Sequence, residues 1–199
     1  MEFTIGNLLT FAASAGVISA VVSTLLSLFP DHLSRRRRAK ILAMKTAIEF
    51  DAFFHACFDS IGETSNHQYS YGHEHYEAPN LHIPKPPQIF IEDEAWSSIK
   101  TELAARVFEF APWVKYENDG ITSEAEHDHP EPDTRRGLTA RYEAAKRAYI
   151  LSIDLLNAYE IPQITHSKES YNWFLESKER FEEKCRLRDE REKAAPSFV

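Results

Sequence analysis

Two short motifs in this chain have the residue types and spacing to do chemistry. They are the pairs His73/His75, in the run His73-Glu74-His75, and His127/His129, in His127-Asp128-His129. Four imidazoles with neighbouring carboxylates are a sufficient donor set for zinc or a similar borderline ion, provided the two segments meet in space. A site of that kind would support metal-assisted hydrolysis or metal sensing. Spacing alone does not deliver the geometry: an x-residue gap in a loop leaves the two rings unconstrained, unlike a pair four apart on a helix. The alternative for all four histidines is a solvated loop in an acidic, proline-rich context, which makes a chain without a bound cofactor the primary expectation.

Other chemistry-shaped features are weaker. The acidic run Glu124–Asp133 lacks the regularly spaced oxygen ligands and central glycine of a calcium loop. No glycine-rich phosphate loop, HExxH helix or GxSxG elbow occurs. His55 and Asp59, four apart, fit a structural hydrogen bond on one helix better than a catalytic dyad. Cys57 and Cys185 are far apart and fall on apolar stripes, which suits reduced thiols better than a disulfide. Trp96, Trp113 and Trp173 are expected to serve packing.

The elements that would position these residues begin with a long uncharged run. From Ile5 to Phe29 there is no charged side chain, and Asn7 is the only strongly polar one. As a helix this run would extend about 37 Å, enough to cross a hydrocarbon core of about 30 Å with some tilt. Arg35, Arg36, Arg37, Arg38 and Lys40 follow it, and only Glu2 precedes it. Basic residues are retained on the cytoplasmic side, so the expected topology is a single-pass protein of the cell membrane (the inner membrane in a Gram-negative cell). Its N-terminus would be outside and its C-terminal part cytoplasmic. A cleaved signal peptide, with Ala13-Ser14-Ala15 as its processing site, would carry its positive charge before the apolar core, not after it. Ala12, Gly16 and Ala20 at four-residue spacing would allow close helix approach and a homo-oligomer in lipid.

Residues 1–30 are thus read as an anchor and residues 31–199 as a helical domain. Pro30 interrupts the first helix, and Asp31 or Ser34 can cap the next. Ala43, Ala47, Phe50, Phe54, Cys57 and Ile61 then recur at helical spacing. The arginines of its first turns oppose the helix dipole, and anionic headgroups would offset that cost. Residues 62–91, with Pro79, Pro84, Pro86 and Pro87, are expected as a long Tyr/His-rich loop. A third helix is expected from about Glu92, with Trp96, Ile99, Leu103, Val107 and Phe110 as its stripe and Pro112 as its end. Residues 112–133 form the second long loop. Leu138, Tyr142, Ala145, Tyr149, Ile153 and Leu156 mark the next helix to about Tyr159. Tyr171, Phe174, Lys178, Phe181 and Cys185 mark a last one with a narrower stripe.

The expected fold is mainly α: one transmembrane helix followed by an antiparallel bundle of about four helices. The net charge of −8 is concentrated beyond the basic cluster, which argues against nucleic acid as a partner. Lipid and an unidentified protein are the expected partners. The functional reading is a non-enzymatic interaction or scaffold module at the cytoplasmic face, with the Tyr/His-rich loop as its contact surface. Two alternatives are a membrane-tethered metal enzyme or sensor using the histidine loops, and a small membrane-perturbing effector.

Overall fold

A computed structural model describes residues 34–64, 81–89, 94–127, 134–163 and 165–194. The uncharged run and the stripe Ala12, Gly16 and Ala20 lie outside these residues, as does most of the Tyr/His-rich segment. Among the described residues there are four α-helices and no strand. They are α1 (34–64), α2 (Thr101–His127), α3 (Thr134–Ala158) and α4 (Thr165–Ala194), with a 3₁₀ turn at Glu94–Ser98 before α2. None of the described helices is long and apolar enough to cross a membrane.

The apolar stripes read from the sequence are the buried faces. Ala43, Ala47, Phe50, Phe54, Cys57 and Ile61 on α1 are all buried, as are Leu103, Val107 and Phe110 on α2. On α3 the buried positions extend around much of the helix, and Ala144, Ala145 and Ala148 have no exposed surface. Small residues on so many sides let neighbours approach α3 closely, so it is the central helix. Among the described side chains of α4 only Phe174 is buried, while Tyr171, Phe181 and Cys185 are half-covered. Aromatic rings fill the space between α1, α3 and α4. Tyr149 stacks on Tyr171 with centroids 3.7 Å apart, and Phe174 meets Phe54 edge-on. Both cysteines are free.

Helix directions follow from paired contacts. Arg141 near the start of α3 reaches Ser60 and Thr64 at the end of α1, while Lys40 near the start of α1 reaches Glu160 just past α3. Arg106 pairs with Asp154 and Arg135 with Asp189. Thus α3 runs antiparallel to α1, α2 and α4, which all point the same way. An unbroken up-and-down order would have turned α1 directly into an antiparallel α2. Instead the chain must return along the bundle before α2, and residues 81–89 belong to that crossover.

Its described part, residues 81–89, is extended and rich in proline, which needs few backbone partners. It is nevertheless fixed at one end. The Asn118 side chain accepts from Ile83 N (2.8 Å) and donates to Ile83 O (3.1 Å), copying a strand neighbour. Arg141 Nε donates to His82 O at 3.0 Å. Gly137 supplies the close approach, since a Cβ there would lie 2.7 Å from Leu81 O.

Three expectations about α2 are corrected. Pro112 lies inside the helix, not at its end, and residues 113–127 are helical where a loop was expected. Pro112 cannot donate to the carbonyl of Phe108, a defect worth roughly 3 kcal/mol in an isolated helix. Burial of Phe110, Val114 and Ile121 and the Asn118–Ile83 pair supply the tertiary contacts that carry the helix through it. At its other end, α2 begins at Thr101, later than Glu92. Tyr159 Oη accepts from Lys100 N at 3.1 Å and donates to Ser98 O at 3.3 Å, bridging the break after the 3₁₀ turn.

The end of α3 has a Schellman arrangement. Ile161 N donates to Leu156 O (2.9 Å) and Glu160 N to Asn157 O (3.3 Å), with Glu160 in the left-handed region at φ 53°. Pro162 follows and blocks helix continuation.

Candidate interaction surface

The antiparallel pairing of α2 and α3 leaves a groove between their outer faces. Trp113 lies on its floor, one residue past Pro112, with the Arg147 guanidinium 4.1 Å above the ring centroid. This cation–π contact divides the groove into two clefts. One, of about 370 Å³, is lined by Arg106, Glu109, Phe110 and Ile150; the other, of about 560 Å³, by Glu117, Arg135, Arg136 and Glu143. Trp113 and Arg147 border both.

Ion pairs hold the rim. Arg106 Nη1 lies 2.7 Å from Asp154 Oδ2, Arg147 Nε lies 3.0 Å from Glu143 Oε1, and Arg136 pairs with Glu124. At the end of the groove, Arg135 makes a fork to both carboxylate oxygens of Asp189, at 2.7 and 2.8 Å. That hydrogen bonding holds the Asp189 carboxyl below its ordinary value. The groove thus combines an aromatic floor with an ion-paired rim.

The second surface is on α1. Arg35, Arg36, Arg37, Arg38 and Lys40 are all exposed on its first turns. Arg36 approaches Glu160 at 3.9 Å, and Lys40 Nζ donates to the Glu160 carbonyl at 3.2 Å. Beside them Ile41, Met44 and Ile48 are 45%, 40% and 48% exposed.

Of the two histidine pairs, only one member falls within the described residues. His127 is the last residue of α2, while His73, His75 and His129 lie outside the described residues. Among the described residues no three His, Cys, Asp or Glu side chains converge on an ion site. His55 faces Asp51 (3.9 Å) on the preceding turn, where Asp59 was the expected partner. Of the three tryptophans expected to pack, Trp96 is buried, but Trp173 is 70% exposed on α4.

The Cys57 thiol is not a reactive group. Burial pushes it up to about 12, with the Arg141 charge offsetting part of the effect. It stays protonated, and so poorly nucleophilic, at neutral pH.

Sequence reasoning missed the groove because Trp113 and Arg147 are on different helices and nothing local links them. The apolar positions on α1 carried a visible signal: Ile41, Met44 and Ile48 step by three and four outside the buried stripe. Comparison with protein-family models, with curated proteins and with solved structures finds no match.

Proposed function

We propose that this chain is a single-pass membrane protein whose helical bundle stands at the cytoplasmic face as a non-enzymatic interaction module. The observation that carries the reading is the exposed basic turn of α1, Arg35 to Arg38 with Lys40, directly after an uncharged run long enough to span a bilayer. Basic residues at that position fix the bundle on the cytoplasmic side. The small-residue ridge Ala12, Gly16 and Ala20 would bring copies of the anchor together in lipid.

For the partner, the groove at Trp113 and Arg147 is a better contact surface than residues 81–89. Residues 81–89 are held against α2 and α3 by Asn118 and Arg141, while the groove is open and edged by charge pairs. A protein segment with apolar side chains for the Trp113 floor and mixed charge for the rim fits it.

Alkaline carbonate extraction followed by flotation tests the anchor. The full chain is expected to stay with the membranes. Val17→Arg, near the middle of the run, is expected to raise the insertion cost by about 3 kcal/mol and shift the chain toward the soluble fraction. Release of the unaltered chain by carbonate would contradict the reading.

A further inference from the structure

The outward face of α1 combines two properties that seldom meet without cause. Ala39, Ala43, Ala47 and Phe50 face the bundle. On the opposite side of the helix, Arg37, Ile41, Met44 and Ile48 follow one another at steps of four, three and four. The row covers about 16 Å at 1.5 Å per residue, with Arg38 and Lys45 along its edge. Met44 and Ile48 also border a small apolar cleft with Leu156, Ile161 and Pro162, which widens the patch onto the turn after α3. Asp51 and Glu160 stand at its borders.

Charge is sorted along α1 as well as around it. Its first turns carry Arg35 to Arg38, Lys40 and Lys45; later come Glu49, Asp51, Asp59 and Glu63. Both groups sit at the wrong end for the helix dipole, so this order weakens the isolated helix. An external anionic surface reverses the sign of that cost at the basic end alone.

We infer that the outward face of the first turns of α1 lies on an anionic lipid surface, with Ile41, Met44 and Ile48 entering the headgroup boundary and Arg37, Arg38 and Lys45 on the phosphates. Large apolar groups with basic neighbours on one helix face are the pattern of an interfacial helix. The acidic later turns are repelled by the same surface, so α1 tilts away and the bundle stands off the membrane. This rests on the anchored reading, because the anchor is what delivers the basic end of α1 to the lipid.

The test uses the full chain with Cys185→Ser and Ile48→Cys, labelled at residue 48 with an environment-sensitive fluorophore; Cys57 is fully buried. The protein is reconstituted in vesicles of phosphatidylcholine, with or without phosphatidylglycerol, some carrying a headgroup-level spin label. Docking is expected to blue-shift the emission and quench it in the anionic vesicles only. Arg37→Gln and Arg38→Gln are each expected to lower the docked-to-free ratio roughly fivefold. Flotation of the same samples separates the two readings. Protein that floats while its label remains water-exposed in both lipids overturns docking and leaves the anchor intact. Protein that fails to float overturns the anchor, and docking with it. A blue shift that persists in detergent and grows with protein concentration would assign the stripe to a second copy of the chain, and would also overturn docking.

Discussion

Arg141 of α3 donates from Nη1 to Thr64 Oγ1 of α1 at 2.6 Å, with Arg141 2% and Thr64 3% exposed. The same nitrogen reaches Ser60 O at 2.9 Å, and Nε reaches His82 O at 3.0 Å. One guanidinium thereby reaches a carbonyl and a hydroxyl in the last turn of α1, where a positive charge suits the dipole, and ties down the crossover. Burial lowers the Arg141 pKa from its ordinary value, but an arginine has enough margin to stay charged.

Arg141→Met is expected to cost more than about 3 kcal/mol, because it removes the hydrogen bonds of a buried charged donor to Thr64 Oγ1, Ser60 O and His82 O. Thr64→Val alone should cost about 1–2 kcal/mol, and the double variant less than the sum of the two. Chemical denaturation of the full chain in detergent checks the cycle. Strict additivity would mean the two side chains do not share the interaction.

Two helical glycines are expected to respond in opposite directions. Gly137→Ala would place its methyl 2.7 Å from Leu81 O and 2.9 Å from Leu81 Cβ, so the crossover must move and the variant should melt earlier. Gly120→Ala meets only the Arg136 Nη2 end, which can swing away at the expense of its exposed pair with Glu124. Helix propensity should then raise stability by up to about 1 kcal/mol. Thermal melts of the two variants side by side give the comparison.

Glu160→Gly should stabilise the protein by about 0.5–1 kcal/mol. Residue 160 sits at φ 53°, where a side chain is strained and glycine is not. Its ion pair with Arg36 is long and exposed, so little is lost with it. A lower melting temperature for the glycine variant would show that the Glu160 contacts outweigh the backbone strain.

The Arg135–Asp189 fork gives a pH dependence of known sign. The folded carboxyl binds its proton less tightly than the unfolded one, because Arg135 donates to the charged form. The pair's contribution is fully present above the unfolded value of about 3.9 and is lost as pH falls through the lower folded value. The melting-temperature gap between wild type and Asp189→Asn should therefore be constant at mildly acidic pH and close below about pH 4. A gap that widens on acidification would contradict the assignment.

What was legible in the sequence was periodicity. Phe50, Phe54, Cys57 and Ile61 on α1 and Leu138, Tyr142, Ala145 and Tyr149 on α3 reveal the core because a buried face must recur at helical spacing. The second half of α2 was not legible. Pro112 and Asp119-Gly120 are local stop signals, while the contacts that override them come from Ile83 and from the core around Val114 and Ile121. The crossover direction was hidden for the same reason: Asn118, Gly137 and Arg141 show their purpose only once Leu81 to Ile83 lie against them. In the groove between α2 and α3, Trp113 gave no sign of Arg147.

The most direct test of the anchored topology is a pair of fusions after Val199, one reporter active only in the cytoplasm and the other only across the membrane. The cytoplasmic reporter is expected to be active and its counterpart silent, and replacing Arg35 to Arg38 with Asn should weaken or invert that preference. Activity of the reporter on the far side with the unaltered chain would contradict the cytoplasmic placement of the bundle.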